Sequence, residues 1–237
     1  MVVRARGLWE TLAAAPVSFA GPGGVTVVAS PGSGLCPPSW AGIVVIGDAA
    51  IVTAPTDAAA RALRRALVPV PVESLTRAEV VRAVLPVTDV LGPATLGYVS
   101  RDGFRPVSDG DAVGQLAPGY RDLRDLRDLR GLVGAAGPED VGESGIEEIT
   151  SPAFVVREGT DVVAAAGYRT WPASTAHVGV LTAPERRGRG LARRVASAAV
   201  AHALAADLLP QWRPGPVESR RVAGLPYRSG FGRWGRS

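Results

Sequence analysis

The sequence predicts an α/β fold, and three observations carry that expectation. Short β-branched runs alternate with helical patterns between residues 25 and 115. A pair of apolar runs at 152–156 and 161–168 is spaced as a hairpin, and an apolar strand at 175–182 leads through a glycine loop into a long Ala-rich helix. With 237 residues the chain suits one large domain or two small ones. Its 46% apolar and 20% charged residues supply a core and exclude global disorder.

Runs at 25–29, 43–45, 50–53 and 95–99 read as strands. Thr56 is placed to cap a helix running through Leu67. Thr76 followed by Glu79 has capping-box spacing, which predicts a second helix to Leu85, stopped by Pro86. This region, residues 1–120, has no cluster of His, Cys and acids and no phosphate-type glycine loop, so it reads as a packing or lid region. Residues 121–130 are a threefold Arg-Asp-Leu repeat closed by Arg130. Leu123, Leu126 and Leu129, spaced by three, form a short oblique stripe, so the segment reads as a short amphipathic helix with its mixed charges in water. Glycines at 131–145, with Pro138, predict a loop and hinge, making 121–145 a linker. The remainder, 146–237, holds the hairpin with its turn at 157–160, the strand at 175–182, a break at Pro184 and the helix from about Gly190 to Leu208.

All 26 positive charges are Arg, and 22 acids leave a net charge of +4. The distribution is uneven: residues 1–185 carry 15 Arg and 20 acids, whereas 186–237 carry 11 Arg and 2 acids. Absence of Lys and Asn, with abundant Ala, Gly, Pro and Val, fits a GC-rich coding bias. In the Arg-Asp-Leu repeat three Asp nearly cancel four Arg, which makes a poor phosphate binder, and no nucleic-acid partner is expected. Cys36 is the single cysteine, so no internal disulfide forms and a cytoplasmic location is expected. The apolar stretch at 195–209 contains His202 and Asp207 and is shorter than the roughly 20 residues of a membrane span, so no membrane partner is expected. No metal site is expected either.

The sharpest signal is Arg187-Gly188-Arg189-Gly190-Leu191-Ala192. It follows a strand ending in Val180-Leu181-Thr182 and opens a helix, an order that presents free backbone N–H groups and a positive dipole end to an anion. Five Arg between 186 and 194 add charge there. No Lys-Ser/Thr follows the last glycine, as a Walker loop requires, and the third glycine of the dinucleotide fingerprint is missing.

The stretch resembles the GCN5-related N-acetyltransferases (GNAT). Their pyrophosphate pattern Gln/Arg-x-x-Gly-x-Gly/Ala appears as Arg187, Gly190 and Ala192, preceded by a strand of the type Val-Gly-Val-Leu-Thr-x-Pro. The resemblance covers roughly 146–230, with 177–192 as its specific part. It implies a mixed sheet flanked by helices in the C-terminal half and acetyl-CoA as co-substrate. Val180, Leu181 and Thr182 would line the pantetheine arm through their backbone. Arg187, Gly188, Arg189, Gly190, Leu191, Ala192 and Arg193 would wrap the pyrophosphate. The N-terminal region is then either a degenerate second copy of the same plan or a separate packing region.

The implied activity is direct acetyl transfer to a primary amine of a small molecule or peptide, in a ternary complex. A base is useful because most amines are protonated at neutral pH. His177, on the strand leading to the acetyl site, has a suitable free pKa, but the sequence leaves its sheet face open. Glu147 and Glu148 are the other candidates; as neighbours on a strand, at most one would enter the cleft. The family's acidic Tyr corresponds to Val222 when Leu225-Pro226-Tyr227 is aligned with its Leu-Gly-Phe segment, which leaves Tyr168 as a substitute acid. Trp171 and Trp212 are candidates to shape an amine pocket, and His202 reads as a surface residue. The departure at Val222 keeps a second reading in view, a non-catalytic acyl-CoA-binding module.

Overall fold

The computed structural model describes residues 1–107, 113–116, 123–213 and 227–234; within 123–128 and 227–234 it describes the backbone. The sequence segments 221–222 and 225–226, aligned above with the family's acid region, lie outside the described residues. The chain is mixed α/β and divides into two compact units, Met1–Tyr98 with Arg213–Ser237, and Val99–Trp212. These units do not coincide with the expected segments 1–120, 121–145 and 146–237. Among the described residues no helix is long and apolar enough to cross a membrane.

The first unit contains helices α1 (Val2–Leu12), α2 (Asp57–Leu67) and α3 (Ala78–Val84) and strands β1 (Val25–Ala29), β2 (Trp40–Ile46), β3 (Ala49–Ala54), β4 (Val87–Tyr98) and β10 (Tyr227–Trp234). The strand order is β1-β3-β2-β10-β4, with β1 parallel to β3 and the other pairs antiparallel. Val27, Ile43 and Val52 of the sheet bury against Leu63 and Leu67 of α2 and Leu75 beyond it. The Thr56 cap forms as expected, its hydroxyl accepting from the Ala59 N–H at 3.2 Å. The capping box at Thr76 does not form. Helix α3 starts at Ala78 behind Arg77, with no side-chain cap, and Glu79 instead accepts from the Arg77 guanidinium at 2.8 Å. The carboxylate is engaged locally, by its own backbone N–H and by the guanidinium two residues away, instead of reaching back to Thr76.

In the second unit lie β5 (Gly114–Leu116), α4 (Leu123–Ala136), α5 (Pro138–Ser144), β6 (Ala153–Glu158), β7 (Asp161–Trp171), β8 (Thr175–Thr182), α6 (Leu191–Ala205) and β9 (Leu209–Trp212). Their sheet runs β9-β8-β7-β6-β5, antiparallel except that β8 and β9 are parallel, joined by α6. The 131–145 stretch is helical, not the expected loop. Leu129, Leu132 and Ala136 of α4 and Val141 of α5 bury against Val155, Ala165 and Leu181 of the sheet, and that burial outweighs the helix penalty of Gly131 and Gly134. Pro138 opens α5 and Gly145, at φ 63°, closes it, an asymmetry that suits a helix start and stop.

Both units contain a buried strand followed by a helix, β3 to α2 and β8 to α6. The strand parallel to β3, however, is β1, which precedes it, whereas the strand parallel to β8 is β9, which follows the helix. The first unit therefore does not repeat the strand order of the second.

Candidate functional site

Strand alternation sorts the side chains of β7 and β8 onto two faces. Ala164, Ala166 and Tyr168 with Ala176 and Val178 pack under α6. Ala165 and Leu181 bury on the other face with α4 and α5, and by the same alternation Gly167, Arg169, His177 and Gly179 join them. Their register is Ala165 opposite Leu181, Gly167 opposite Gly179 and Arg169 opposite His177. The sheet face of His177, open in the sequence, is thus settled.

Two glycines floor this second face. A Cβ at Gly179 would lie 2.6 Å from the Ser144 carbonyl oxygen, and one at Gly167 would lie 2.5 Å from Ile149 Cδ1. The backbone at Ser144 and Gly145 therefore settles onto Gly179 and the Ile149 side chain onto Gly167, where the sheet carries no side chain. Between these contacts, residues Ile146–Glu148 form a single 3₁₀ turn rather than a strand, so the strand-alternation argument for Glu147 and Glu148 does not apply. Glu148 accepts from the Arg169 guanidinium at 2.9 Å, and Glu147 is exposed.

His177 occupies the junction of β8 and β9. The parallel ladder pairs only Thr175, Ala176 and His177 with Leu209, Pro210 and Gln211; among the described residues β9 pairs no farther, and Val178 to Thr182 continue beyond it. The imidazole Nδ1 lies 2.8 Å from Gln211 Oε1, and the Trp171 ring stacks on it with centroids 4.4 Å apart and 11° between planes. Burial draws the His177 pKa below its usual 6.5; the Gln211 hydrogen bond and the Glu148 charge oppose this, and Arg169 adds to it. The net result is a ring that is neutral at pH 7.

Tyr168 faces the opposite way. It is buried, its hydroxyl lies 2.9 Å from His202 Nδ1, and burial pushes its pKa above 10. His202 is therefore not the free surface residue expected from the sequence; its ring packs against Phe154 and Tyr168 with centroids 5.4 and 5.8 Å apart. The structure brings His177, Glu148, Arg169 and Trp171 together and leaves Tyr168 on the other side of the sheet.

At the far end of β8 the chain turns through a 3₁₀ segment, Pro184–Arg186, into Gly188 at φ 78° and Gly190 at φ 76°. Both angles lie in the left-handed region, which glycine adopts without strain. Nothing stands within 4 Å of a Cβ built on either glycine, so the requirement is conformational and the space before the loop is open. No side chain caps Gly190 and no acid occupies the first turn of α6. Around the loop, Glu158 accepts from Arg186 at 2.6 Å and Arg189 at 3.3 Å, and Asp140 of α5 accepts from Arg187. These acids lie 28, 31 and 47 residues from their partners, so a local charge count overstates the free positive charge at the loop. Arg193 is exposed. Thr182 Oγ1 is buried and has no hydrogen-bond partner among the described residues.

The residues of this loop fit a polyanionic thioester such as acetyl-CoA. The open helix start supplies N–H donors, two left-handed glycines allow close approach, and an orphan hydroxyl waits at the strand end.

Residues 151–225 match the family model of the GNAT acetyltransferases. The resemblance carried by Arg187, Gly190 and Ala192 is thereby borne out over that stretch. Similar solved structures include a GNAT-family protein from Novosphingobium aromaticivorans, 24% identical with a TM-score of 0.42, covering 64% of this chain and 69% of that one. A GNAT-family acetyltransferase from Colwellia psychrerythraea is 13% identical with a TM-score of 0.40, covering 62% of this chain and 57% of that one. A GCN5-related N-acetyltransferase from Kribbella flavida is 16% identical with a TM-score of 0.48, covering 68% of this chain and 65% of that one. The chain thus spans less than two thirds of the Colwellia and Kribbella proteins. No curated protein matches it.

Gln211 escaped the sequence reading. Within Leu209-Pro210-Gln211-Trp212 the proline marks a break and a lone glutamine carries no motif. Only the parallel pairing of β8 with β9 brings it to His177.

Proposed function

We propose that the second unit is the catalytic region of an N-acetyltransferase that moves an acetyl group from acetyl-CoA to a primary amine. The observation that carries this reading is the uncapped start of α6, which follows β8 through two left-handed glycines. Bound acetyl-CoA supplies an activated thioester. The first-turn N–H groups of α6 and the loop from Arg187 to Arg193 hold its pyrophosphate, with Val180, Leu181 and Thr182 along the pantetheine arm.

His177 serves as the base. Leu181 lies four residues along β8 from His177, about 13 Å at the rise of a strand. The neutral ring therefore accepts the proton of the attacking amine through intervening water as the new C–N bond forms and the C–S bond breaks. Backbone N–H groups on the β8 edge near Leu181, past the point where β9 pairs, receive the developing negative charge on the carbonyl oxygen. Glu148, held by Arg169, tunes the imidazole, and Trp171 fixes its plane. Glu147, exposed, and Tyr168, on the opposite face, take no part in proton transfer.

Calorimetry with acetyl-CoA tests the binding half of this reading, and absence of heat with the intact chain would remove it. Release of coenzyme A thiol over a panel of primary amines tests the chemistry. Binding without release from any amine would establish the second reading, an acyl-CoA-binding module motivated by Val222 in place of the family's Tyr.

A further inference from the structure

We propose that Gln211 is a positioning residue for His177: its side-chain carbonyl holds the imidazole in the Nδ1–H tautomer and so leaves the basic lone pair on Nε2. The catalytic consequence rests on the function proposed above; the tautomer itself does not.

An amide oxygen only accepts a hydrogen bond, so the 2.8 Å contact between His177 Nδ1 and Gln211 Oε1 requires the proton on Nδ1. In a neutral ring the lone pair then resides on Nε2. Gln211 is 0% exposed, on a strand whose neighbours Leu209 and Pro210 are apolar and buried. A glutamine in such a place is costly unless hydrogen-bonded, and the imidazole supplies the bond to its side-chain oxygen. Backbone register reinforces it, because His177 and Gln211 are direct partners across the ladder. Trp171, stacked at 11°, opposes rotation of the ring out of that plane.

The acceptor is neutral, and that choice matters. The charged groups that act on the imidazole are Glu148 from the 3₁₀ turn and Arg169 from β7, and these pair with each other. From α5, Asp140 is engaged with Arg187. On β9 the partner is uncharged, so the orientation of the ring is fixed without a second carboxylate that would keep it protonated. A carboxylate at position 211 would orient the ring equally well and spoil it as a base near pH 7.

The experiment is nitrogen NMR of the ¹⁵N-imidazole-labelled full chain without acetyl-CoA. The sequence contains only 2 His, and a His202→Gln variant assigns the signals. The expected spectrum above pH 7 shows His177 with a protonated Nδ1 and an unprotonated Nε2. A neutral ring with its proton on Nε2 overturns the proposal. In Gln211→Glu the imidazole is expected to titrate about 1–3 units higher, with the acid limb of acetyl transfer moving by the same amount. An unmoved titration overturns it. Gln211→Met, of similar volume, is expected to mix the two tautomers and lower kcat about tenfold or more while leaving the acetyl-CoA Kd unchanged. A chain with the expected tautomer that fails to bind acetyl-CoA would refute the acetyltransferase reading alone.

Discussion

Helices α2 and α6 both follow a buried strand, and they begin in opposite ways. At α2 the Thr56 hydroxyl accepts the Ala59 N–H, Asp57 occupies the first turn, and Arg64 and Arg65 occupy the last. Its donors and dipole are satisfied from within. At α6 a left-handed Gly190 stands in the cap position, no side chain caps it, and no acid occupies the first turn. A helix start that satisfies itself is structure; one left open needs something from outside. The difference is why the proposed acetyl-CoA site lies at α6 rather than at α2.

Gly190→Asp should show the largest effect, because it imposes a φ of 76° on a residue with a Cβ and adds a carboxylate where an anion is to bind. A combined penalty of about 3 kcal/mol lowers acetyl-CoA affinity roughly 100-fold by calorimetry. Undiminished binding would move the anion site away from α6.

The next effect concerns pH. Because burial draws the folded His177 pKa below 6.5, the folded chain holds this proton less tightly than the unfolded chain does. Its neutral form, the base, persists at neutral pH, and kcat/KM should fall as pH drops through a value below 6.5. By the same sign, the stability linked to His177 is complete above the unfolded pKa and declines on acidification toward the folded one. A pH–rate profile whose acid limb lies above 6.5 would exclude this histidine as the base.

Gly179→Ala places a methyl carbon against the Ser144 carbonyl oxygen and should cost about 1–3 kcal/mol in denaturant unfolding. The smallest change sharpens the comparison from its other side. Thr56→Ala should cost about 1 kcal/mol of stability and leave the acetyl-CoA Kd unaltered. A change in that Kd would contradict the view of α2 as a self-contained element.

The sequence was most legible where local signals and tertiary packing agree. The strand Thr175–Thr182 and the Thr56 cap formed as read, the β6–β7 hairpin formed with a tighter turn because Arg157 and Glu158 pair within the strands, and the glycine loop opens a helix where its glycines allow. Reading failed where distant partners decide. Gly131, Gly134 and Gly137 suggested a loop, yet Leu132 and Val141 bury against the sheet and make 123–144 two helices. His202 looked exposed on an Ala-rich helix until Tyr168, 34 residues away, supplied a hydrogen bond. The Arg cluster looked uncompensated until Glu158 and Asp140 came into place. Gln211 acquires its role only through a parallel crossover, which no local pattern encodes.

The cross-strand pair Gly167 and Gly179 works as a mortise. The main chain of Ser144 and Gly145 fills the slot over Gly179, and the Ile149 side chain fills the slot over Gly167. The two glycines thereby set the height of the turn between them, from which Glu148 reaches Arg169. A methyl group in either slot would raise the acidic turn off the sheet and loosen its grip on Arg169. Two positions that possess neither charge nor side chain thus set where the acidic turn rests beside His177.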